Sequence, residues 1–218
     1  VKAAQPDFDL IARPYRWLEY MTLGRALERS RLHFLPELRD RTSALVLGDG
    51  DGRFLARLFA QNPALQADAV DTSRVMLELL RHNCPSDAVL RTHQADALIF
   101  LATTPKIQYD LVVTHFFLDC LIQSEVNEIA REIAPFLAPG ALWVVTDFAI
   151  PSGAMRIPAD LLVRFLYLAF RILTGLRVSR LPDHDAALQA AGFIRVRQHS
   201  SFFGALVSDI WKLSEAVP

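Results

Sequence analysis

The chain has 218 residues, 52% hydrophobic and 22% charged, with a formal net charge of −1. That length suits one α/β domain with a sizeable core, and the near-neutral balance excludes bulk attraction to nucleic acid. Two cysteines, Cys84 and Cys120, are too few for a disulfide framework and point to a reducing cytoplasm. The sequence has no basic-then-apolar leader.

Residues 7–35 read as helical and aromatic-rich, with Phe8, Tyr15, Trp17, Tyr20 and Phe34, and with Pro14 breaking or starting a helix. From Ser43 the pattern alternates. "ALVL" is a strand and "RFLARLFAQ" a helix; "LQADAVD" is a strand and "SRVMLELLRHN" a helix after a Thr72/Ser73 cap signal. "VLRTHQAD" and "YDLVVTHF" are strands, "SEVNEIAREIAPFL" a helix with Ser124 as its expected N-cap, and "PGALWVVTDF" a turn and strand. "ADLLVRFLYLAFRILTGL" (159–176) is apolar nearly all round, which predicts a helix buried on most sides. Arg164 and Arg171 interrupt it, against a membrane span. "PDHDAALQAAG" is a helix bounded by Pro182 and Gly192. "FIRVRQHS" and "ALVSDIWKL" then form an antiparallel hairpin. Such alternation predicts an α/β, Rossmann-like fold with a mostly parallel sheet, in which ligands sit beyond the carboxyl ends of the strands.

The segment "ALVLGDGDGRF" (44–54) places a glycine-rich turn there. A dinucleotide turn wants G-x-G-x-x-G; here Gly48, Gly50 and Gly52 alternate with Asp49 and Asp51, and Arg53 stands where the third glycine belongs. A like-charge pair about 4 Å apart costs roughly 4 kcal/mol at an effective dielectric near 20, so a diphosphate is disfavoured, with Arg53 offsetting part of that cost. A cationic, unphosphorylated nucleoside such as S-adenosyl-L-methionine fits better. Asp71, at the end of the second strand and followed by Thr72, is placed to accept from ribose hydroxyls, and Asp96, flanked by Ala95 and Ala97, to accept from an adenine amino group. Each also reads as an ordinary cap or turn residue.

With these residues in view, the chain resembles the class I S-adenosylmethionine-dependent methyltransferases, most of all the ubiquinone/menaquinone-biosynthesis C-methyltransferase group. "FDLIARPYRWLEYMTLG", "AVDTSRVML", "QADAL", "IAREIAPFLAPGALWVVTDFAIP" and "LPDHDAALQAAGF" carry the resemblance in order along the chain. It implies a cofactor site of Tyr15, Gly48, Asp49, Gly50, Asp51, Gly52, Asp71, Thr72, Ala95, Asp96, Ala97 and His115. Its product would be S-adenosyl-L-homocysteine, and its acceptor small, hydrophobic or aromatic and quinone-like. Val46 stands where the family carries an acid, leaving Asp49 or Asp51 to take over, and Arg16 replaces the group's aspartate.

Methyl transfer needs alignment, exclusion of water and, for a phenol or enol, removal of a proton. His115, Asp119 and Asp147 are the candidate base or orienting groups, with Phe116 and Phe117 as walls and Tyr15 and Tyr20 as a lid. His82, His93, His184 and His199 lack metal-ligand spacing, and G-x-S-x-G and basic–aromatic runs are absent. The expected organisation is one methyltransferase domain: a helical cap (1–40), a cofactor-binding core (41–150), a helical lid (151–181), and a final helix and hairpin (182–218). The apolar helix and its arginines also suit a lipophilic acceptor, a membrane surface or a homodimer. The rival readings are an NAD(P)-dependent oxidoreductase and a cofactor-binding protein without turnover.

Overall fold

The computed structural model describes residues 23, 25–174, 178 and 180–214. Tyr15, Tyr20 and the rest of the expected aromatic lid lie outside the described residues. Seven strands form one sheet in the order β3-β2-β1-β4-β5-β7-β6. β1 (Ser43–Leu47), β2 (Gln66–Asp71), β3 (Val89–Gln94), β4 (Tyr109–His115) and β5 (Leu137–Phe148) run parallel. β7 (Leu206–Leu213) runs antiparallel to both β5 and β6 (Phe193–Ser201). This is the expected Rossmann-like class, hairpin included.

The strands at the centre are apolar because they are covered on both faces. On one face Leu45, Leu47, Val112, Trp143 and Val145 pack beneath α4 (Ala97–Thr103), α5 (Gln123–Ile133) and α7 (His184–Ala190). On the other, Val46, Val113 and Val144 pack against Phe34 and α2 (Arg53–Gln61), while Leu80 of α3 (Arg74–Asn83) joins the same cluster. Fully burying each Leu, Val or Phe is worth about 1.5–3 kcal/mol. The acid position that Val46 occupies is therefore filled by a core side chain, 1% exposed.

Three local details depart from the sequence reading. The helix α4, unannounced by periodicity because "ALIFLAT" is apolar on every side, starts where Asp96 accepts the Ile99 N–H at 3.1 Å. Helix α5 starts earlier than expected: Ile122, not Ser124, is the N-cap residue, and its N–H donates to the Glu125 carboxylate at 3.0 Å. The apolar helix α6 (Arg156–Thr174) is not buried on most sides. Ala159, Val163, Leu166 and Tyr167 are buried, but Ile157, Leu161, Phe165 and Leu168 are 71%, 62%, 62% and 56% exposed. It lies across the ends of the strands, where Leu166 meets Leu23 and Leu27 of the N-terminal segment and Leu206, so only one side faces protein. No helix among the described residues is long and apolar enough to cross a membrane.

Polar groups lock the frame. At the amino ends of β1 and β4, the Asp110 carboxylate accepts from Thr42 N (2.7 Å), Thr42 Oγ1 (2.8 Å) and Ser43 N (3.0 Å). Within the sheet, buried Asp68 of β2 meets its register partner Arg91 in β3 twice, at 2.8 and 2.6 Å. It also meets His93 at 2.7 Å and the Tyr109 hydroxyl at 3.0 Å. Burial alone would raise the Asp68 carboxyl, but the hydrogen bonds from Arg91, His93 and Tyr109 outweigh it and hold the carboxyl below its usual range. Its stabilisation is thus present above the unfolded carboxylate value and is lost as pH falls through the folded one. Because Arg91 is half exposed, Asp68→Asn is expected to cost only about 2 kcal/mol at pH 7 in urea unfolding, with the gap to wild type closing below about pH 4.

Candidate functional site

The carboxyl ends of β1, β2 and β3 meet at one rim. After β1 the chain turns through Gly48, Gly50 and Gly52 at φ +70°, +61° and +77°, a left-handed region that glycine enters without cost. A Cβ on Gly48 would stand 2.5 Å from the Phe117 ring, and one on Gly52 2.7 Å from Leu80. The turn is anchored by Gly48 N–H donating to the Val70 carbonyl at 3.0 Å.

Its two aspartates are not a matched pair of free charges. Asp51 bonds Arg53 Nε at 2.8 Å, which offsets its charge. Asp49 turns into the start of α2, where Oδ2 accepts the Leu55 N–H at 3.1 Å. Removal from water pushes the Asp49 carboxyl up to about 7, and the Leu55 N–H and the Arg31 charge restrain it only in part. The acidic field inferred from the sequence is therefore softer than two adjacent carboxylates imply.

Around the rim, Asp71 Oδ1 accepts the Ser73 N–H at 2.8 Å, and Ser73 in turn caps α3 through Met76 N at 3.1 Å. The Thr72 carbonyl accepts from Gln94 Nε2 at 3.4 Å, and Ala95 N–H donates to the Asp71 carbonyl at 3.0 Å. Asp96 caps the helix that Ala97 opens. The structure thus brings together every expected cofactor-site residue of this rim: Gly48 to Gly52, Asp71, Thr72, Ala95, Asp96 and Ala97. Tyr15 lies outside the described residues.

The expected catalytic trio is divided. β4 ends at His115, whose ring stands edge-on to Phe54 with centroids 4.4 Å apart, on the α2 face. Neither ring nitrogen has a hydrogen-bond partner. Burial, then the Arg31 charge, holds its pKa well below the usual value, so the imidazole is neutral. The next residue, Phe116, sits at φ +51°, an uncommon and strained backbone for an aromatic residue. Its N–H donates to the Thr146 carbonyl at 2.7 Å, and its ring lies under the Arg31 guanidinium at 4.8 Å.

Past that kink, Asp119 lies in the one-turn segment Leu118–Cys120 and Asp147 near the end of β5. Strand alternation puts Asp147 on the same face as Trp143 and Val145, opposite to His115. Both acids are buried. Neither Asp147 oxygen, nor Asp119 Oδ1, has a donor in hydrogen-bonding geometry. Burial is the chief cause of both raised carboxyls: Asp119 is pushed up to about 6, and Asp147 well above the carboxylate range with the Asp119 charge adding to the shift. Each carboxyl charge thus makes ionisation of the other less favourable.

Sequence reasoning passed over Arg31, Cys120 and Tyr167 as site residues. Tyr167 of α6 donates its hydroxyl to the Asp119 carbonyl at 2.9 Å, and the Cys120 thiol lies 3.7 Å from the Phe116 carbonyl. Arg31 is 8% exposed. Nothing in the local pattern of α1 (Ala26–Leu32) separates Arg31 from its surface neighbours Arg25 and Arg29; only the tertiary approach does. Phe117, expected as an acceptor wall, instead packs on Gly48, while Phe116 tilts against Phe148 at 5.3 Å.

The Asp49 geometry has a measurable consequence. A folded carboxyl raised above its unfolded value favours the fold fully below about pH 4 and loses that advantage as pH rises towards about 7. Asp49→Asn keeps an acceptor for Leu55 without the charge, so it is expected to raise Tm relative to wild type at pH 8 and leave it unchanged at pH 4.

Residues 45–143 match the family model described as a methyltransferase domain. No curated protein matches the chain by sequence. Among solved structures, the chain is similar to mitomycin 7-O-methyltransferase MmcR (TM-score 0.65, 17% identity, 88% of this chain and 55% of that one). It is also similar to an O-methyltransferase family protein from Burkholderia thailandensis (0.67, 13%, 99% and 66%). A third is the N-methyltransferase NodS of Bradyrhizobium japonicum WM9, solved with S-adenosyl-L-homocysteine (0.64, 16%, 87% and 88%). The chain thus spans just over half the length of MmcR and about two thirds of the Burkholderia protein. At such identities the shared property is the fold: the chain has the Rossmann-like class I methyltransferase fold, with a methyltransferase domain matched over residues 45–143.

Proposed function

We propose that the chain is an S-adenosyl-L-methionine-dependent methyltransferase acting on a small, hydrophobic or aromatic acceptor with an ionisable hydroxyl or enol. The observation that carries this reading is the buried Asp119–Asp147 pair, under-satisfied in hydrogen bonds, at the same strand ends as a turn whose three glycines all have positive φ. When bound, S-adenosyl-L-methionine supplies an electrophilic methyl group on a sulfonium. Gly48 to Gly52 admit its methionine end close to the backbone, Asp71 and Thr72 take the ribose, and Ala95, Asp96 and Ala97 take the adenine. Asp71 and Asp96 are held at the rim by accepting the Ser73 and Ile99 N–H groups.

In this reading the acceptor lies at the strand ends beside α6, next to the cluster that Val163, Tyr167 and Val178 form with Phe148 and Leu181. Asp119 and Asp147 accept the acceptor's proton as its oxygen or carbon gains the methyl group, and return it to water afterwards. A carboxyl pair with pKa values lifted towards neutrality is suited to that transfer. His115, neutral and on the other face, orients rather than abstracts. In this reading residues 1–40 and 151–181 form the cap and lid of one methyltransferase domain, completed by 41–150 and 182–218. The O-methyltransferase neighbours support oxygen as the methylated atom, and the sequence resemblance supports a quinone-like ring.

Calorimetry tests the cofactor: S-adenosyl-L-homocysteine is expected to bind and NAD not to. NAD binding alone would overturn the reading. With labelled cofactor and a panel of quinols and phenols, Asp147→Asn and Asp119→Asn are expected to lower kcat by about 10²–10⁴ with S-adenosyl-L-homocysteine affinity kept. Unchanged turnover in both would remove the carboxyl pair from the mechanism.

The exposed stripe Ile157, Leu161, Phe165 and Leu168, with exposed Arg156, Arg164 and Arg171 on the same helix, favours a lipophilic acceptor collected from an anionic membrane surface on the cytoplasmic side. Flotation with anionic liposomes is expected to carry wild type and leave behind Leu161→Asp/Phe165→Asp. Equal behaviour of the two proteins ends that part of the reading; a second copy of the chain covering the stripe would appear as a dimer that the same variant dissociates.

A further inference from the structure

A second cluster of chemistry lies on the outer half of the sheet. His184 and Asp185 open α7, and Asp209 stands in β7, paired in register with Val145 of β5. One ligand atom from each of the three lies within 4.8 Å of the others. Asp209 is only 1% exposed, and its Oδ1 has no hydrogen-bond partner; Asp185 Oδ1 is in the same condition.

The opposite oxygens are accounted for. Arg195 Nη1 lies 2.6 Å from Asp185 Oδ2 and 3.6 Å from Asp209 Oδ2, and its guanidinium packs over Trp211 at 5.2 Å. This holds the two carboxylates side by side, and His184 Nε2 lies 3.4 Å from Asp185 Oδ1. Two carboxylates against one guanidinium leave one net negative charge. A neutral imidazole nitrogen is a ligand for divalent transition ions.

An orphaned buried anionic oxygen is costly. A shared proton satisfies one of the two and leaves the imidazole unused; a cation satisfies all three atoms at once. We propose that His184, Asp185 and Asp209 bind one divalent cation of the zinc or manganese class. One nitrogen and two carboxylate oxygens form a borderline donor set, which favours such ions over magnesium or calcium. A cation equidistant from three atoms no more than 4.8 Å apart sits at most about 2.8 Å from each, so an inward shift of up to about 0.7 Å per ligand reaches zinc–ligand distances.

The sequence reading found no metal spacing because the ligands are adjacent in one helix and then far along the chain, a pattern that only the packing of α7 on β7 assembles. The site lies on the sheet face that carries Asp147, whose β5 position is two residues beyond Val145. An ion there ties α7 to the sheet beside the carboxyl pair.

The test uses the full chain after chelator treatment, titrated with Zn²⁺ by calorimetry and with Co²⁺ by visible absorption. One ion per chain at micromolar dissociation or tighter is expected, with a d–d band for Co²⁺, a rise in Tm with Zn²⁺, and no comparable uptake of Mg²⁺. His184→Ala, at a mostly buried position outside the carboxyl pair, is expected to weaken Zn²⁺ uptake at least tenfold while leaving S-adenosyl-L-homocysteine affinity unchanged. Asp209→Asn is expected to do the same where it folds. Failure to take up Zn²⁺, or uptake undiminished in His184→Ala, overturns the site, and neither result bears on the cofactor reading.

Discussion

The site depends on a single topological constraint: the winding of the sheet reverses between β1 and β4. From β1 the chain moves outward to β2 and β3, then returns to place β4 on the other side of β1. Connections that leave from adjacent strands in opposite directions open a crevice at the carboxyl ends. The glycine turn after β1 can only lie across that crevice if its backbone enters the left-handed region three times in five residues. Side chains at Gly48 or Gly52 would also collide with Phe117 or Leu80, so composition and topology specify the same turn.

Electrostatics at this rim run against ordinary stability. His115, Asp119 and Asp147 are buried with polar atoms left without partners, an arrangement that folded proteins generally avoid. Desolvation dominates each of their titrations, pushing the imidazole towards neutrality and the carboxyls towards their protonated forms. Arg31, brought in by the N-terminal segment, is the buried cation that faces several of them. The strained Phe116 separates the two chemistries: it passes the chain from the His115 side of the sheet to the Asp119 side in one residue.

Much of this was legible in the sequence, and the reasons are local. The strands and the helices α2 and α3 follow from uninterrupted apolar runs, period 3.6, and a serine cap, all of which act within a few residues. The position of Gly48, Asp71 and Asp96 at the crevice was legible because a doubly wound sheet fixes which strand ends face it. Other features were not findable because they are decided by partners far away in sequence. Alternation along a strand whose register is unknown does not say that His115 and Asp147 face opposite ways. Periodicity did not reveal that one side of α6 stays bare, since its apolar residues surround the helix. The inward turn of Asp49 depends on the exact start of α2, and Arg31 is chemically identical to surface arginines near it.

The Asp110 clasp on Thr42 and Ser43 sits at the amino ends of β1 and β4, the far edge from the crevice. The clasp joins the two strands at that edge, while the opposite edge carries buried His115, Asp119 and Asp147 with atoms left unpartnered. The strands are therefore secured independently of the side chains that stand at the crevice. Substitutions beyond the carboxyl ends should therefore be borne more easily than substitutions in the Asp110 clasp.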